Sequence, residues 1–229
     1  MQESSSHLNL SVQGRNLTAA LAGNVFSMAQ SINSLRRTLR RLRNNLTPAT
    51  RRHFDFLIYQ NLLNSGILLR STRLAGYLAN NGEPSIDLLL ETCTRRNIPY
   101  CLPVLHGQKL IFKPYVLGNT LKNNAFHIPE PSCKQSFMTR YLSVILMPLV
   151  GFDKHGNRLG MGGGYYDRTL NFMRQPICKK APLLIGIAYG LQAVEKLHRQ
   201  AWDIPLDAVV TEQGLTCFSA KARLLLRST

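Results

Sequence analysis

Between Arg158 and Arg168 the chain reads R-L-G-M-G-G-G-Y-Y-D-R, and four of the seven residues from Gly160 to Tyr166 are glycine. A run of this kind constrains the fold strongly. Each glycine loses conformational freedom on folding and returns no side-chain packing. A chain reversal alone seldom needs so many. The apolar stretch Tyr141 to Val150 before the run reads as a buried strand, and Thr169 to Arg174 after it continues a short helix. Strand, glycine turn and helix start make a seat for an anion. Backbone approaches closely where no side chain intervenes, and N–H groups at a helix start point at the charge. Asp167 is then placed to hold a metal ion beside a phosphate. Its competing role is that of a first-turn acid favoured by the helix dipole.

The turn differs from two familiar phosphate loops. No Lys-Ser/Thr pair follows the glycines, and the G-x-G-x-x-G spacing fails at Tyr165 or Asp167. The carboxylates narrow the reading further. Only 12 acidic residues occur in the chain, yet Asp153, Asp167, Asp203 and Asp207 all fall around or after the turn. A nucleotide-bound magnesium ion needs one or two carboxylates besides water and phosphate oxygens. Asp167 and Asp203 could supply them. Asp153, in Asp153-Lys154-His155-Gly156, reads as a turn residue, and Asp207 as a cap on a strand. None of the six histidines has a metal-binding pair spacing.

Along the rest of the chain, residues 1–30 read as a poorly ordered or loosely docked extension rich in Ser, Asn and Gln. Leu35, Leu39, Leu42 and Leu46 then recur on one helical face, with arginines at the other positions. Thr47-Pro48 marks the cap and first position of a second helix. A short apolar run from Leu74 to Leu78 ends in the loop signal Asn80-Asn81-Gly82. Ile86 to Thr94 reads as a helix, and Ile98 to Leu105 as a strand near an edge, broken by Pro99 and Pro103. Lys109 to Val116 alternates apolar and polar residues, and Gly118 to Gln135 reads as a loop. Leu183 to Tyr189 reads as a buried strand, Ala193 to His198 as a short helix, and Asp207 to Thr211 as the last strand. Strands alternating with helices predict an α/β fold. The expectation is a single three-layer α/β/α domain over residues 31–229, with a mostly parallel, Rossmann-like sheet and an N-terminal helical segment. Ligands in such sheets sit at the carboxyl ends of the strands.

The net charge of +16 points to polyanionic partners, either nucleic acid or small anionic substrates. The dense cluster Arg36, Arg37, Arg40, Arg41, Arg43, Arg51 and Arg52 keeps a nucleic-acid reading open. Five scattered cysteines with no C-x-x-C pair read as buried free thiols in a reducing cytoplasm. No apolar run approaches the roughly 20 residues that cross a bilayer. A soluble, cytoplasmic monomer without a membrane partner is expected.

The segments G-F-D-K-H-G-N-R-L-G-M-G-G-G-Y-Y-D-R (Gly151 to Arg168), G-I-A-Y (Gly186 to Tyr189) and W-D-I-P-L-D-A-V-V-T (Trp202 to Thr211) together resemble the 5-formyltetrahydrofolate cyclo-ligase family, also called methenyltetrahydrofolate synthetase. Upstream, L-P-V-L (Leu102 to Leu105), I-F-K-P-Y (Ile111 to Tyr115), Leu35-Arg36 and R-x-x-L-T-P (Arg43 to Pro48) follow in the same order. The resemblance spans Leu35 to Thr211. It implies a ligase that uses ATP and Mg2+ to turn 5-formyltetrahydrofolate into 5,10-methenyltetrahydrofolate, with release of ADP and phosphate. By resemblance, Arg36 and Arg158 contact the phosphates of ATP. Gly160, Met161, Gly162, Gly163, Gly164, Tyr165 and Tyr166 wall the nucleotide. Met161 to Tyr165, Leu78 and Glu83 touch the folate, with Tyr165 and Arg158 at the reacting groups. Asp167 and Asp203 hold the metal. Two departures are visible: Ile32 stands where the family usually has a Lys or Arg, and Trp202 where many members carry His. Weaker nucleotide affinity is the expectation from both. A binding module without turnover stays open beside the enzyme.

Overall fold

The computed structural model of the chain describes residues 31–175 and 180–226. The extension expected over residues 1–30 lies outside them. The chain divides into two compact units, 1–38 and 39–229. In the first unit, the described residues 31–38 are helical, and Arg36 Nη1 donates to Asn33 Oδ1 at 2.7 Å.

The second unit opens with helical residues 39–44 (α1). The apolar face expected of this helix is only half right. Leu39 is buried, but Leu42 is 45% exposed and Arg43 takes the inward position at 1% exposure. Its guanidinium donates to the carbonyls of Leu149 at 3.2 Å and Asn81 at 2.7 Å. A leucine could not satisfy those carbonyls, and leaving the buried one of Leu149 unpaired is costly. Helix α2 (Pro48–Asn64) starts where expected. Thr47 caps it by accepting from the Thr50 N–H at 3.1 Å, with Pro48 in the first turn. Ile58 and Leu62 are its buried residues. Helix α3 (Ile67–Arg70) follows.

The main sheet has seven strands: β1 (Leu74–Ala75), β2 (Tyr100–His106), β3 (Lys109–Pro114), β6 (Val144–Pro148), β9 (Leu183–Ile187), β11 (Ala208–Thr211) and β12 (Gly214–Cys217). Their spatial order is β12-β11-β9-β6-β1-β2-β3. The five inner strands pair in parallel, and β3 and β12 close the edges antiparallel. Numbered among themselves, the parallel strands run 2-1-3-4-5. The order therefore reverses between β1 and β6, the place where open α/β sheets bind ligands.

Alternate residues feed two cores. Leu74, Val144, Leu146, Leu183, Ile185, Ala208 and Val210 face α2, α3, α4 (Asp87–Arg95) and α6 (Ala220–Leu225). Ala75, Ile145, Met147, Leu184 and Val209 face the other way, toward Leu170, Ile204 and Leu206. That second face carries the short α5 (Tyr165–Leu170) and a 3₁₀ turn over Asn171–Arg174.

Several expectations are corrected. Strand β6 is shorter than Tyr141 to Val150, because a 3₁₀ turn occupies Thr139–Tyr141. The chain also does not pass straight from β6 into the glycine turn. A hairpin of β7 (Gly151–Asp153) and β8 (Arg158–Leu159) intervenes. Ala193 to His198 is not a helix: β10 (Ala193–Val194) joins β7 in parallel, making a three-stranded second sheet. Gln192 Nε2 donates to Leu149 and Val150, and the Leu197 N–H donates to Asp153 Oδ2. These bonds draw the segment out along β7. The stretch expected as a loop over Gly118 to Gln135 holds a hairpin of β4 (Leu121–Asn123) and β5 (Pro129–Pro131). Strand β11 is not the last, since β12 follows it. Among the described cysteines, Cys93 and Cys101 are buried free thiols pushed up to about 12 by burial. Cys133 is exposed, against expectation.

Candidate active site

The loop after β1 turns at Asn80-Asn81-Gly82-Glu83. The Glu83 N–H donates to the Asn80 carbonyl at 3.0 Å, with φ of 49° at Asn81 and 74° at Gly82. Two successive left-handed residues explain the Asn-Gly signal. Arginines fix this turn from below. Arg43 reaches Asn81, while Arg51 donates to the carbonyl of Gly82 at 2.5 Å and to that of Arg43 at 3.0 Å. Arg43 thus ties the loop that follows β1 to the residue that follows β6. Tyr77 Oη donates to the Pro84 carbonyl at 2.7 Å. Gly76 has to be glycine, because a Cβ there would lie 1.8 Å from the hydroxyl of Tyr100.

Glu83 is the chemical centre of this loop. One carboxylate oxygen accepts from the Asn80 N–H at 3.1 Å. Among the described residues, no hydrogen bond reaches the other. Burial raises its pKa, against the lowering pull of the Asn80 bond and the Arg43 charge. The carboxylate is therefore half-buried, not the solvated loop acid that residue chemistry alone would favour. Leu78 is also half-buried and packs on the larger core.

The glycine turn runs from β8 to α5. Gly162 at φ 101° and Gly164 at φ 65° hold conformations that side chains rarely adopt. Gly160, Met161, Gly162 and Gly163 are exposed. Arg168 fastens the turn, donating to the carbonyls of Gly163 at 2.5 Å and Gln108 at 2.6 Å and lying 5.2 Å from the centre of the Tyr165 ring. The rings of Tyr165 and Phe126 pack edge-on with centroids 6.4 Å apart. Arg158 pairs with Asp167 Oδ1 and donates to the carbonyl of Ile204, and the Ile204 N–H donates to the same Asp167 oxygen at 3.3 Å. The hydroxyl of Tyr166 is raised by burial and by the charge of Glu83, and lowered by that of Arg158. Tyr166 thus connects the Glu83 loop electrostatically to the Arg158–Asp167 pair.

A cleft of about 320 Å³ opens beside this pair, lined by Lys109, Gly164, Asp167, Arg168, Asn171 and Trp202. Asp203 directs one oxygen to the N–H of Gln200 at 2.8 Å, on the exposed turn that precedes Ile204. Among the described residues, no group of three or more His, Cys, Asp or Glu converges. The donor set nevertheless fits a nucleotide-borne magnesium ion, which needs few carboxylates: Asp167 lines the cleft, and only one of its oxygens is engaged. Asp153 is the turn residue expected, and Asp207 accepts from the Leu184 N–H and the Ser219 hydroxyl.

The structure brings Glu83, Tyr166, Arg158 and Asp167 into one neighbourhood. Arg36 belongs to the other unit. Arg43 and Arg51 were missed as organisers of the site. Arg43 stands one helical turn after Leu39 on the same face, but nothing in the sequence marks the distant carbonyls it serves.

With that geometry in place, three comparisons bear on the chain. The family model of the 5-formyltetrahydrofolate cyclo-ligase family matches residues 28–212. A 5-formyltetrahydrofolate cyclo-ligase of Haemophilus influenzae is 35% identical over 182 residues, covering 77% of this chain and 95% of that one. One from Escherichia coli is 35% identical over 182 residues, covering 76% and 96%. The solution structure of the Aquifex aeolicus 5,10-methenyltetrahydrofolate synthetase superposes with a TM-score of 0.71 at 31% identity, covering 82% of this chain and 92% of that one.

Proposed function

Since the chain belongs to the 5-formyltetrahydrofolate cyclo-ligase family, we propose that it closes the ring of 5-formyltetrahydrofolate at the expense of ATP, giving 5,10-methenyltetrahydrofolate, ADP and phosphate. The observation that carries this reading is the exposed turn from Gly160 to Gly163, which runs on to Asp167 held by Arg158.

The chemistry needs both halves. A formamide oxygen is a poor leaving group. When it attacks the γ-phosphorus, the bond from that phosphorus to the bridging oxygen breaks and ADP departs. The folate N10 then attacks the formyl carbon, N10 gives up its proton, and the carbon–oxygen bond breaks to release phosphate. Such transfers depend mostly on positioning and charge stabilisation. Glu83 accepts N–H donors of the pterin on its unengaged oxygen, with Leu78 against the ring. Amides of Gly160 to Gly164 line the path of the phosphoryl group, because nothing larger than hydrogen stands between backbone and anion. Tyr165 and Met161 border the formyl end, and Tyr166 bounds the nucleotide side. Arg158 offers its remaining donors to the phosphates while it orients Asp167. Asp167 and Asp203 would hold Mg2+, which supplies charge neutralisation on the phosphates.

Purified protein with ATP, magnesium and 5-formyltetrahydrofolate should generate the near-ultraviolet absorbance of the methenyl product. Asp167→Asn should lower kcat about 10²- to 10³-fold with the thermal unfolding midpoint little changed. Folate and ATP binding without any absorbance growth in the wild type would reduce the chain to a binding module.

A further inference from the structure

Trp202 is the chain's single tryptophan, and it is 60% exposed. Large aromatic rings are costly to leave in water unless something covers them. This ring is not on a free surface. The Asp203 N–H donates to the Gln200 carbonyl at 3.1 Å, and Asp203 Oδ2 accepts from the Gln200 N–H at 2.8 Å. The two bonds close a tight turn over 200–203, with Trp202 near its tip. The turn is tethered in its turn: Ile204, two residues on, is bonded through both its N–H and its carbonyl to the Asp167–Arg158 pair. The indole is thereby held on the wall of the cleft that also contains Asp167, Gly164, Lys109, Arg168 and Asn171.

We propose that Trp202 is the stacking platform for the adenine ring of ATP, making it a specificity-determining residue for the nucleotide half of the reaction. The inference rests on the cyclo-ligase reading above. The composition of the wall chooses the occupant. Its lining includes Gly164, the last residue of the glycine turn, and Asp167, which suit phosphates and their cation. Lys109 and Arg168 add positive charge along the same wall. The lining also contains the flat aromatic face of Trp202 and the carboxamide of Asn171. Every nucleobase has a π face to stack on an aromatic side chain, and a carboxamide presents the donor and acceptor that adenine's edge requires. The pterin has its own partner in Glu83, which does not line this cleft. The tryptophan expected to weaken nucleotide binding is thus the residue that seats the base.

Because the chain has one tryptophan, its emission reports this residue alone. Titration of the wild type with ATP and magnesium should change the emission saturably, and inorganic tripolyphosphate with magnesium should not. Trp202→Ala should raise KM for ATP roughly ten-fold or more, leave KM for the folate unchanged, and unfold at the wild-type temperature. Trp202→Phe should restore most of the affinity. Methenyl product formed while the emission stays silent to ATP, with an unaltered KM for ATP in Trp202→Ala, would overturn the assignment and leave the cyclo-ligase reading intact. A rise in KM for the folate alone would overturn it as well. Emission that answers ATP in a protein that makes no product would keep the platform and remove the cyclo-ligase reading.

Discussion

Two turns in this molecule are built around a carboxylate, and they use it in opposite ways. Asp153 lies at the end of β7, buried, and accepts from the N–H groups of His155 at 2.9 Å, Asn157 at 3.0 Å and Leu197 at 3.0 Å and from the Asn157 amide at 2.9 Å. Burial alone would raise its pKa, but these bonds together hold it below the ordinary value. Glu83 accepts one hydrogen bond, and burial leaves its pKa raised. Both turns contain a glycine at positive φ, Gly156 at 79° and Gly82 at 74°. Backbone geometry therefore does not separate them. Saturation of the carboxylate does: a saturated acid belongs to the fold, and an unsaturated one has capacity left for a ligand.

Substitution breaks the comparison most strongly at Asp153. Asp153→Ala should cost roughly 3–5 kcal/mol, because it strands several N–H groups that depend on one side chain. Chemical denaturation measures the loss, and any fall in turnover should follow the folded fraction. Glu83→Gln should do the reverse. Stability should stay within about 1 kcal/mol of the wild type or rise, while KM for 5-formyltetrahydrofolate increases about ten-fold, the worth of one charge-assisted hydrogen bond. Equal loss of stability in the two variants would remove the distinction.

The smallest effect is in the pH dependence. The Asp153 pKa is depressed on folding, so its stabilisation is present above the unfolded value near 4 and lost as pH falls through the folded value. The Glu83 pKa is raised, so ionising it costs stability as pH climbs from about 4 through the folded value. The stability difference between wild type and Asp153→Asn should shrink on acidification. Glu83→Gln should match the wild type in acid and exceed it at neutral pH. Thermal melts across that range test both signs.

The same contrast shows what a sequence reading can reach. Gly160 to Asp167 was legible because glycine and carboxylate chemistry act locally, and the observed φ angles at Gly162 and Gly164 use the freedom that made the motif conspicuous. The parallel sheet was legible because its inner strands are apolar on both faces. Arg43 was not, because a leucine period gives no sign that carbonyls of Leu149 and Asn81, distant in sequence, require a buried cation. Strands as short as β7, β8 and β10 carry too few residues for an alternation to be seen. Ala193 to His198 was misread because the bonds that extend it come from Leu149, Val150 and Asp153.

Arg158 fastens two things with one side chain: the acid at the start of α5 and the peptide that follows the Trp202 turn. Trimming it to alanine would loosen both ends of the proposed nucleotide seat together. Phosphate affinity and base affinity would fall in step, mimicking the loss of separate contacts. A kinetic survey of this half of the protein therefore has to change Asp167 and Trp202 individually before it reads anything from their common clasp.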